Sequence, residues 1–330
     1  MHMSDALVSP TVFTVAGAAS LTLLGAAIRK MQPANRLSHA PDEYDARIVP
    51  LMGAMGAFVF AAQMINFAIP GTGSSGHLIG GILLAAVLGP WAAFVTLCSV
   101  LLLQCLLFAD GGFMALGCNI LNMAALTCLV AYPLVFRPLM RHAASPARIF
   151  AASMLASTVG LCLGATAVTL ETEWSGITAL PFGRFLLFML PIHLAIGIGE
   201  GLATGAVLCV LRHYKPELLA DVRCRRPRTR FRPGRALAAI VLAALLIGGS
   251  FSWLASSRPD GLEWSIERTS GGNDAAPATD ALHRTAATLQ ETTALLPDYD
   301  TSLAGLVGCG IILLAAWGGT QLLRAGRRQP

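Results

Sequence analysis

The residues with the clearest potential for chemistry are Met1 and His2, at the start of the chain. A free α-amine, the following peptide nitrogen and the imidazole of His2 can close small chelate rings around one ion. Two residues would then supply three nitrogen ligands. Square-planar nitrogen sites favour nickel or copper(II), whereas tetrahedral sites favour zinc. The alternative is that a histidine at position 2 is an incidental part of a tail.

A second candidate is the glycine-rich segment 66–81, which contains one histidine, His77. Its glycines permit tight turns, so His77 is predicted to lie at the mouth of a short helix that follows. A re-entrant turn without any ligand role is the alternative. If His77 joins Met1 and His2, the three residues supply four nitrogens to one divalent ion.

A third candidate is the pair His193 and Glu200, which lie seven positions apart in an apolar run and therefore share a helix face. Ionisable residues inside a membrane helix suggest function. A polar pair that holds neighbouring helices together is the favoured alternative. Other polar residues of the apolar runs could line the cavity or form interhelical hydrogen bonds, and the second interpretation is favoured: Gln63, Gln104, Asn119 and Asn122. The remaining histidines are interpreted as solvated: His39, His142, His213 and His283.

The composition excludes several classes of protein. Apolar residues make up 55% of the 330 positions and charged residues 12%, so the polar surface is too small to coat a soluble globule. The net charge of +5 comes from short basic clusters between apolar runs, which indicates membrane topology rather than nucleic-acid binding. No Walker A sequence, nucleophile elbow or His-Glu-x-x-His motif occurs. The chain is therefore expected not to be an enzyme.

Met1, His2 and His77 lie outside the long apolar segments of the chain, so the packing of these segments must bring the three residues together. A bilayer core needs roughly 20 apolar residues per helix. The apolar runs predict an all-α, polytopic membrane helix bundle, with a seven-helix core and two C-terminal transmembrane helices that flank an extracytoplasmic loop. The predicted spans are 11–28, 48–68, 78–88, 91–108, 113–136, 149–170, 185–211, 236–254 and 303–323. The third span is too short to cross unaided.

Basic clusters predict the orientation, because Lys and Arg collect in cytoplasmic loops. This puts the N-terminus, Met1, His2 and His77 outside and the C-terminus in the cytoplasm of a multi-pass protein of the cell (inner) membrane. The opening residues lack Lys and Arg, so no cleaved signal peptide is expected. We divide the chain into a membrane domain (1–222), a basic linker (223–235) and an accessory region (236–330). The outer loop, 255–300, shows no evident ligand set.

Several motifs resemble those of one family: Met1-His2-Met-Ser-Asp-Ala-Leu-Val-Ser-Pro10, Ser75-Gly-His77-Leu-Ile-Gly-Gly81, Phe108-Ala-Asp-Gly-Gly-Phe-Met-Ala-Leu-Gly-Cys-Asn-Ile-Leu-Asn-Met123 and Gly197-Ile-Gly-Glu-Gly201. They resemble the CbiM/NikM family, the substrate-binding S components of energy-coupling factor (ECF) transporters for cobalt and nickel. The stretch Ser257-Arg-Pro-Asp-Gly-Leu-Glu263 resembles the PDGLE-type accessory (N) component of the same systems. The whole chain thus resembles a fused M and N component.

This resemblance implies that the N-terminus inserts from outside, and that Met1, His2 and His77 form a square-planar site of four nitrogens. Nickel (Ni²⁺) is the favoured transported substrate and cobalt (Co²⁺) the second, because residues 2–10 are closer to the nickel-type pattern. Met3 and Ala6 depart from the usual isoleucine and glycine, so the following turn is expected to differ in detail. The resemblance also implies partners, a transmembrane T component and a pair of ATPase subunits.

Two competing functions are open at this point. One is a secondary transporter driven by protons through His193 and Glu200, without any ATPase. The other is a membrane protein that binds metal for sensing or assembly and does not move the ion.

Overall fold

The computed structural model describes residues 1–31, 45–140, 145–220, 234–250, 255–272, 280–299 and 302–326. Residues 223–233 of the predicted linker, His39 and His142 lie outside these ranges. The helices are α1 (Pro10–Met31), α2 (Asp45–Gln63), α3 (Gly81–Leu88), α4 (Pro90–Phe108), α5 (Leu116–Leu139), α6 (Pro146–Ser175), α7 (Phe182–Tyr214), α8 (Gly234–Ser250), α9 (Gly261–Ser270), α10 (Ala281–Thr293) and α11 (Ser302–Gly326). Short 3₁₀ turns lie at Asp5–Leu7, Pro216–Leu218 and Pro297–Tyr299.

Six of the described helices are long and apolar enough to cross a membrane: α1, α4, α5, α6, α7 and α11. The shorter apolar stretches Ile48–Gln63 and Gly234–Ser250 lie in α2 and α8. The predicted helical membrane class is confirmed, although six helices rather than nine meet the length requirement. Helix α3 has only eight residues, all of them buried, which fits a helix that is apolar on every side.

Small residues set the packing of α1 against α5. A Cβ atom on Gly117 would lie 2.6 Å from the backbone nitrogen of Gly17, and Ser20 Oγ donates to the carbonyl of Gly117 at 2.7 Å. Helix α5 begins at Leu116, slightly later than the predicted 113. From Ile120 to Phe136 helix α5 is π-helical, with Pro133 inside it.

A row of glycines brings α7 against α6. Gly197, Gly201 and Gly205 are four positions apart and share a helix face. A Cβ atom on Gly197 would lie 2.6 Å from Thr158 Cα, and one on Gly205 would lie 2.6 Å from Phe150 Cδ1. Small residues at such positions permit close helix packing within a membrane. The row therefore holds the face of α7 that carries His193 and Glu200 inside the bundle.

The C-terminal part of the chain packs on α2. Gly308 of α11 lies against Phe60, and Gly53 of α2 lies against Ala316 of α11. Between α8 and α11 the sequence predicts an outer loop, and here the structure differs. Helices α9 and α10 occupy much of this segment, each with an aspartate at its N-cap, Asp260 and Asp280. Their N-caps accept backbone N–H groups that would otherwise lack partners.

The glycine-rich segment before α3 forms a small hairpin. Strands β1 (Phe67–Ala68) and β2 (Ser75–Gly76) pair antiparallel, and the loop between them includes Gly71 and Gly73 at positive φ. Because glycine adopts this conformation without a steric penalty, the chain reverses within a few residues. His77 follows β2 directly and is placed at the head of α3.

Candidate metal site

The first residues of the chain fold back into the helix bundle. Met1 is 4% exposed and Met3 is fully buried. Asn119 Oδ1 accepts the Met3 N–H at 2.8 Å, and the Met3 carbonyl accepts from Asn119 Nδ2 at 3.2 Å. The N–H of Gly112 also donates to the Met3 carbonyl, at 2.8 Å. These contacts satisfy the buried backbone of Met3 and fix residues 1 and 2 inside the protein.

The Met1 side chain has its own place against α6. A Cβ atom on Gly164 would lie 2.7 Å from Met1 Cε and 2.8 Å from the backbone oxygen of Asn122, so the end of the Met1 side chain packs closely on this glycine. The amine at the other side of Met1 is thereby turned towards the hairpin loop.

His77 lies beside this amine. The Met1 nitrogen is 3.3 Å from His77 Nε2, and His77 Nδ1 is 3.2 Å from the carbonyl oxygen of Leu78. A hydrogen bond from Nδ1–H to a backbone carbonyl leaves the Nε2 lone pair free, which is the usual arrangement for a metal-binding imidazole. The rings of His2 and His77 stack with centroids 5.2 Å apart. The structure therefore brings Met1, His2 and His77 together.

Two aspartates that the sequence analysis did not single out complete this cluster. Asp260 Oδ2 is 2.7 Å from the Met1 amine, and Asp110 Oδ1 is 3.0 Å from His2 Nδ1. The hydroxyl of Tyr299 donates to the other oxygen of Asp110, at 2.7 Å. Asp110 follows α4, whereas Asp260 and Tyr299 come from the C-terminal part. Carboxylates from both parts of the chain thus contact the predicted donor residues.

Burial and neighbouring charges decide the protonation of the cluster. Burial, the Met1 ammonium and His2 lower the pKa of His77 to about 3, which keeps its imidazole neutral. Burial raises the pKa of Asp260, but the Met1 ammonium and His77 outweigh it and hold that pKa below its usual range. For Asp110, His2 outweighs burial in the same way and lowers the pKa. The site therefore combines a neutral imidazole with two carboxylate anions.

This arrangement can supply nitrogen ligands, but not all of them face one point. The Met1 amine and His77 Nε2 face each other, whereas His2 Nδ1 is directed to Asp110 and His2 Nε2 is buried without a partner among the described residues. Only Nδ1 can close a small chelate ring with the amide nitrogen of the same residue. Coordination by His2 therefore requires its ring to leave Asp110. Within the described ranges, no three His, Cys, Asp or Glu side chains form a metal-binding group by themselves.

An open pocket leads to the cluster from the side of α9 and α10. Its volume is about 490 Å³, and its lining includes His2, His77, Asp110, Asp260 and Glu263. An acidic lining attracts cations. The pocket can therefore admit a hydrated ion to the cluster.

Glu200 and His193 lie close by, but they do not pair with each other. Glu200 Oε2 accepts the N–H of Ile79 at 2.7 Å, and Oε1 accepts the N–H of Gly80 at 3.2 Å. Glu200 thus holds the backbone immediately after His77. His193 Nδ1 is 2.8 Å from the carbonyl of Met189, in its own helix. These contacts favour the structural interpretation of Glu200.

His283 was predicted to be solvated, and this prediction is wrong. His283 is 4% exposed, and its Nε2 lies 3.1 Å from the carbonyl of Asp5 and 3.0 Å from that of Val8. On the same helix, Gln290 donates to the carbonyl of Gly111 at 2.7 Å. Helix α10 therefore holds both the N-terminal segment and the loop that contains Asp110. Sequence alone does not indicate a contact over such a separation.

The predicted interhelical hydrogen bonds are confirmed for Gln63, Gln104 and Asn122, whereas Asn119 bonds the backbone of Met3 in the N-terminal segment. Gln104 Nε2 donates to Gln63 Oε1 at 2.9 Å, and Gln63 donates to the carbonyl of Ile79. Asn122 donates to the buried carboxylate of Glu171 at 2.6 Å. These contacts tie α2, α4, α5 and α6 around the site.

The fold is that of a polytopic helical membrane protein, and the cluster gathers nitrogen donors of a kind that transition metals prefer. Comparison with known families agrees. Residues 2–218 match CbiM, the cobalt uptake substrate-specific transmembrane region, and residues 234–325 match the PDGLE domain. The chain belongs to the CbiM family and carries a PDGLE domain after it.

Relatives with the same two parts exist in archaea and bacteria. A putative fused nickel transport protein NikMN of Archaeoglobus fulgidus is 29% identical, covering 98% of this chain and 99% of the relative. A probable fused nickel transport protein LarMN of Lactiplantibacillus plantarum is 31% identical, over 80% and 78%. A transition metal transporter with a crystal structure is 30% identical in sequence to this chain. The structural match has a TM-score of 0.56 and covers 70% of this chain and 100% of that chain. The chain is therefore an integral membrane protein of a metal transport family.

Proposed function

We propose that this chain is the substrate-specific component of an ECF-type importer, and that it captures Ni²⁺ from outside the cell. Co²⁺ is the second candidate substrate. The observation that carries the proposal is the position of the Met1 amine, 3.3 Å from His77 Nε2 in a buried site, with the His2 ring stacked on His77. A buried N-terminal amine beside a neutral imidazole is an unusual arrangement, and metal ligation gives it a chemical purpose.

The proposed ligands are the Met1 amine, the amide nitrogen and imidazole of His2, and the imidazole of His77. Four nitrogens in one plane suit a d⁸ ion such as Ni²⁺. Copper(II) binds such nitrogens more tightly at equilibrium, so selection for nickel depends on which ion is available. Binding releases protons from the amine and the amide, and affinity should fall as the pH is lowered.

Transport itself requires partners. In the proposed assembly a transmembrane T component and a pair of ATPase subunits dock on the cytoplasmic side, and ATP hydrolysis reorients the helix bundle. The N-terminus then lies outside the cell membrane and the C-terminus in the cytoplasm. Residues 1–222 form the metal-binding unit, 223–235 link it, and 236–330 form the accessory unit. The chain acts as a transport component and not as an enzyme.

A block at the N-terminus tests the proposal. A short peptide added before Met1 converts the amine into an amide and fills the buried space, so nickel uptake in cells with the partner subunits should be abolished. The same peptide added after Pro330 is the control and should leave uptake unchanged. Equal uptake by the two extended proteins would contradict the proposed ligation.

A further inference from the structure

Asp260 uses its two carboxylate oxygens for different tasks. Oδ1 accepts the N–H groups of Leu262 and Glu263, at 2.8 and 2.9 Å, and so caps helix α9. Oδ2 contacts the Met1 amine at 2.7 Å. The cap fixes the carboxylate, because Asp260 and Glu263 form a reciprocal capping box. The oxygen that faces the amine is therefore held in place by the start of α9.

The segment around Asp260 is also attached to the loop that carries His77. The Ser75 N–H donates to the carbonyl of Pro259 at 2.8 Å, and Ser75 Oγ donates to that of Arg258 at 2.7 Å. Farther along, Trp264 Nε1 donates to the carbonyl of Thr72 at 3.1 Å. The position of Asp260 relative to His77 is thus fixed by hydrogen bonds at three points.

Gly261 explains how the segment can approach so closely. A Cβ atom at this position would lie 2.9 Å from Ile196 Cδ1 and 3.2 Å from His193 Cε1. A side chain here would require the ends of Ile196 and His193 to shift, so the absence of one lets the start of α9 pack closely on α7. The order Asp-Gly therefore places the charged residue directly before a position that needs no space for a side chain.

We propose that Asp260 is a positioning residue for metal capture, which holds the Met1 amine beside His77 until an ion replaces this contact. The inference rests on the proposed function. A free chain terminus has many conformations, and fixing it in advance removes that entropy cost from the binding step. Binding of the ion would require the ammonium to lose its proton to bulk water, and the nitrogen lone pair would then be available as a ligand in place of the contact with Asp260. The PDGLE part of the chain thereby contributes directly to the metal site of the CbiM part.

Three substitutions separate the positioning role of Asp260 from its role as a helix cap. In Asp260→Asn the Oδ1 atom can still cap α9, since asparagine is as good an N-cap as aspartate. Its amide NH₂ would then face the Met1 amine, so the attractive contact is lost. Glu263→Gln alters the same capping box without touching the amine. Asp260→Glu keeps the negative charge and should retain part of the attraction to the Met1 amine.

The first measurement needs no metal. The full-length, metal-free protein is treated with an acetylating reagent, and acetylation of the Met1 amine is followed by mass spectrometry, with exposed Lys215 as the internal standard. Loss of a charge-assisted contact should speed acetylation of Asp260→Asn about tenfold or more. Glu263→Gln should react like the original protein. Equal rates in Asp260→Asn and the original protein would overturn the inference.

The second measurement adds Ni²⁺ alone to the same proteins. We expect the nickel association constant of Asp260→Asn to fall about tenfold and that of Asp260→Glu to fall less. Glu263→Gln removes a charge from the pocket lining but no contact with the amine, so its constant should fall clearly less than that of Asp260→Asn. An unchanged constant in Asp260→Asn would overturn the positioning role. In the original protein Ni²⁺ should protect the Met1 amine from acetylation. If Asp260→Asn is acetylated faster but Ni²⁺ does not protect the amine of the original protein, the contact between Asp260 and the amine is supported. The proposed ligation of nickel by that amine is then overturned.

Discussion

Asp260 and Asp110 approach the same cluster from two regions of the molecule and hold its donors in opposite ways. Asp260, at the start of α9, holds the Met1 amine where it already faces His77 Nε2. Asp110, after α4, holds His2 Nδ1, the imidazole atom that must turn to join a chelate ring. One carboxylate keeps a donor in its ligating position, and the other keeps a donor away from it.

This difference shows that the metal-free site is only partly preorganised. The amine and His77 need little movement, whereas the His2 ring must exchange Asp110 for the ion. Asp110 is itself fixed by Tyr299, which belongs to the C-terminal part. Both contacts therefore connect the metal site to the accessory region, although only one of them favours binding.

The largest effect is expected from His77→Ala, because it removes the proposed ligand that the Met1 amine faces and on which the His2 ring stacks. Outer-sphere residues already contribute about 10- to 100-fold to metal affinity, so loss of a ligand should cost about a hundredfold or more. Calorimetry with Ni²⁺ measures it. His213→Ala, an exposed histidine at the end of α7, is the control and should bind normally. Normal affinity in His77→Ala would remove this residue from the site.

A smaller effect on affinity is expected from Glu200→Gln. Its side chain accepts two N–H groups just after His77, and the substitution places an NH₂ donor against one of them. Unfolding should become easier by about 1–3 kcal/mol, measured by thermal denaturation, while nickel affinity falls less than about tenfold. Glu217→Gln, beside Lys215, is the control.

The same variant distinguishes the competing proton-driven transporter. In that mechanism Glu200 carries protons, so Glu200→Gln would abolish uptake even with the partner subunits present. Uptake by the chain alone, stopped by an uncoupler and unaffected by ATP depletion, would support that alternative and contradict the ATP-driven one.

The smallest effect is expected from Asp110→Asn, and it tests whether Asp110 and Asp260 act oppositely on metal binding. A neutral amide holds His2 Nδ1 less tightly than a carboxylate does, so the ring should be released more easily. Nickel association, followed by stopped-flow absorbance, should become a few times faster, whereas in Asp260→Asn it should become slower. Changes of the same sign in the two variants would show that the two aspartates do not act oppositely.

The sequence indicated the proposed donor residues but not the groups that contact them. An amine, an amide and imidazoles have metal chemistry of their own, and the family resemblance predicted that Met1, His2 and His77 form one site. Asp110 is a single carboxylate in a loop, which carries no specific signal. Asp260 contacts a residue 259 positions away, and such pairing depends on how the helices pack.

The outer segment was predicted as a loop because of its low hydropathy, yet signals for its helices are present. Asp260 and Glu263 have the spacing of a capping box. Asp280 is a good N-cap residue before α10, in which the buried residues His283 and Ala286 are three positions apart. Capping signals would have placed α9 and α10. They would not have shown that His283 is buried, since its partners are carbonyl groups of the N-terminal segment.

X-ray absorption spectroscopy of the nickel-loaded, full-length protein reports the ligands of the metal. Four nitrogen ligands in one plane should give the edge features of square-planar nickel and no sulfur neighbour. Tetrahedral geometry, or sulfur from the nearby Met1 or Met3 side chains in the first shell, would contradict the proposed ligation.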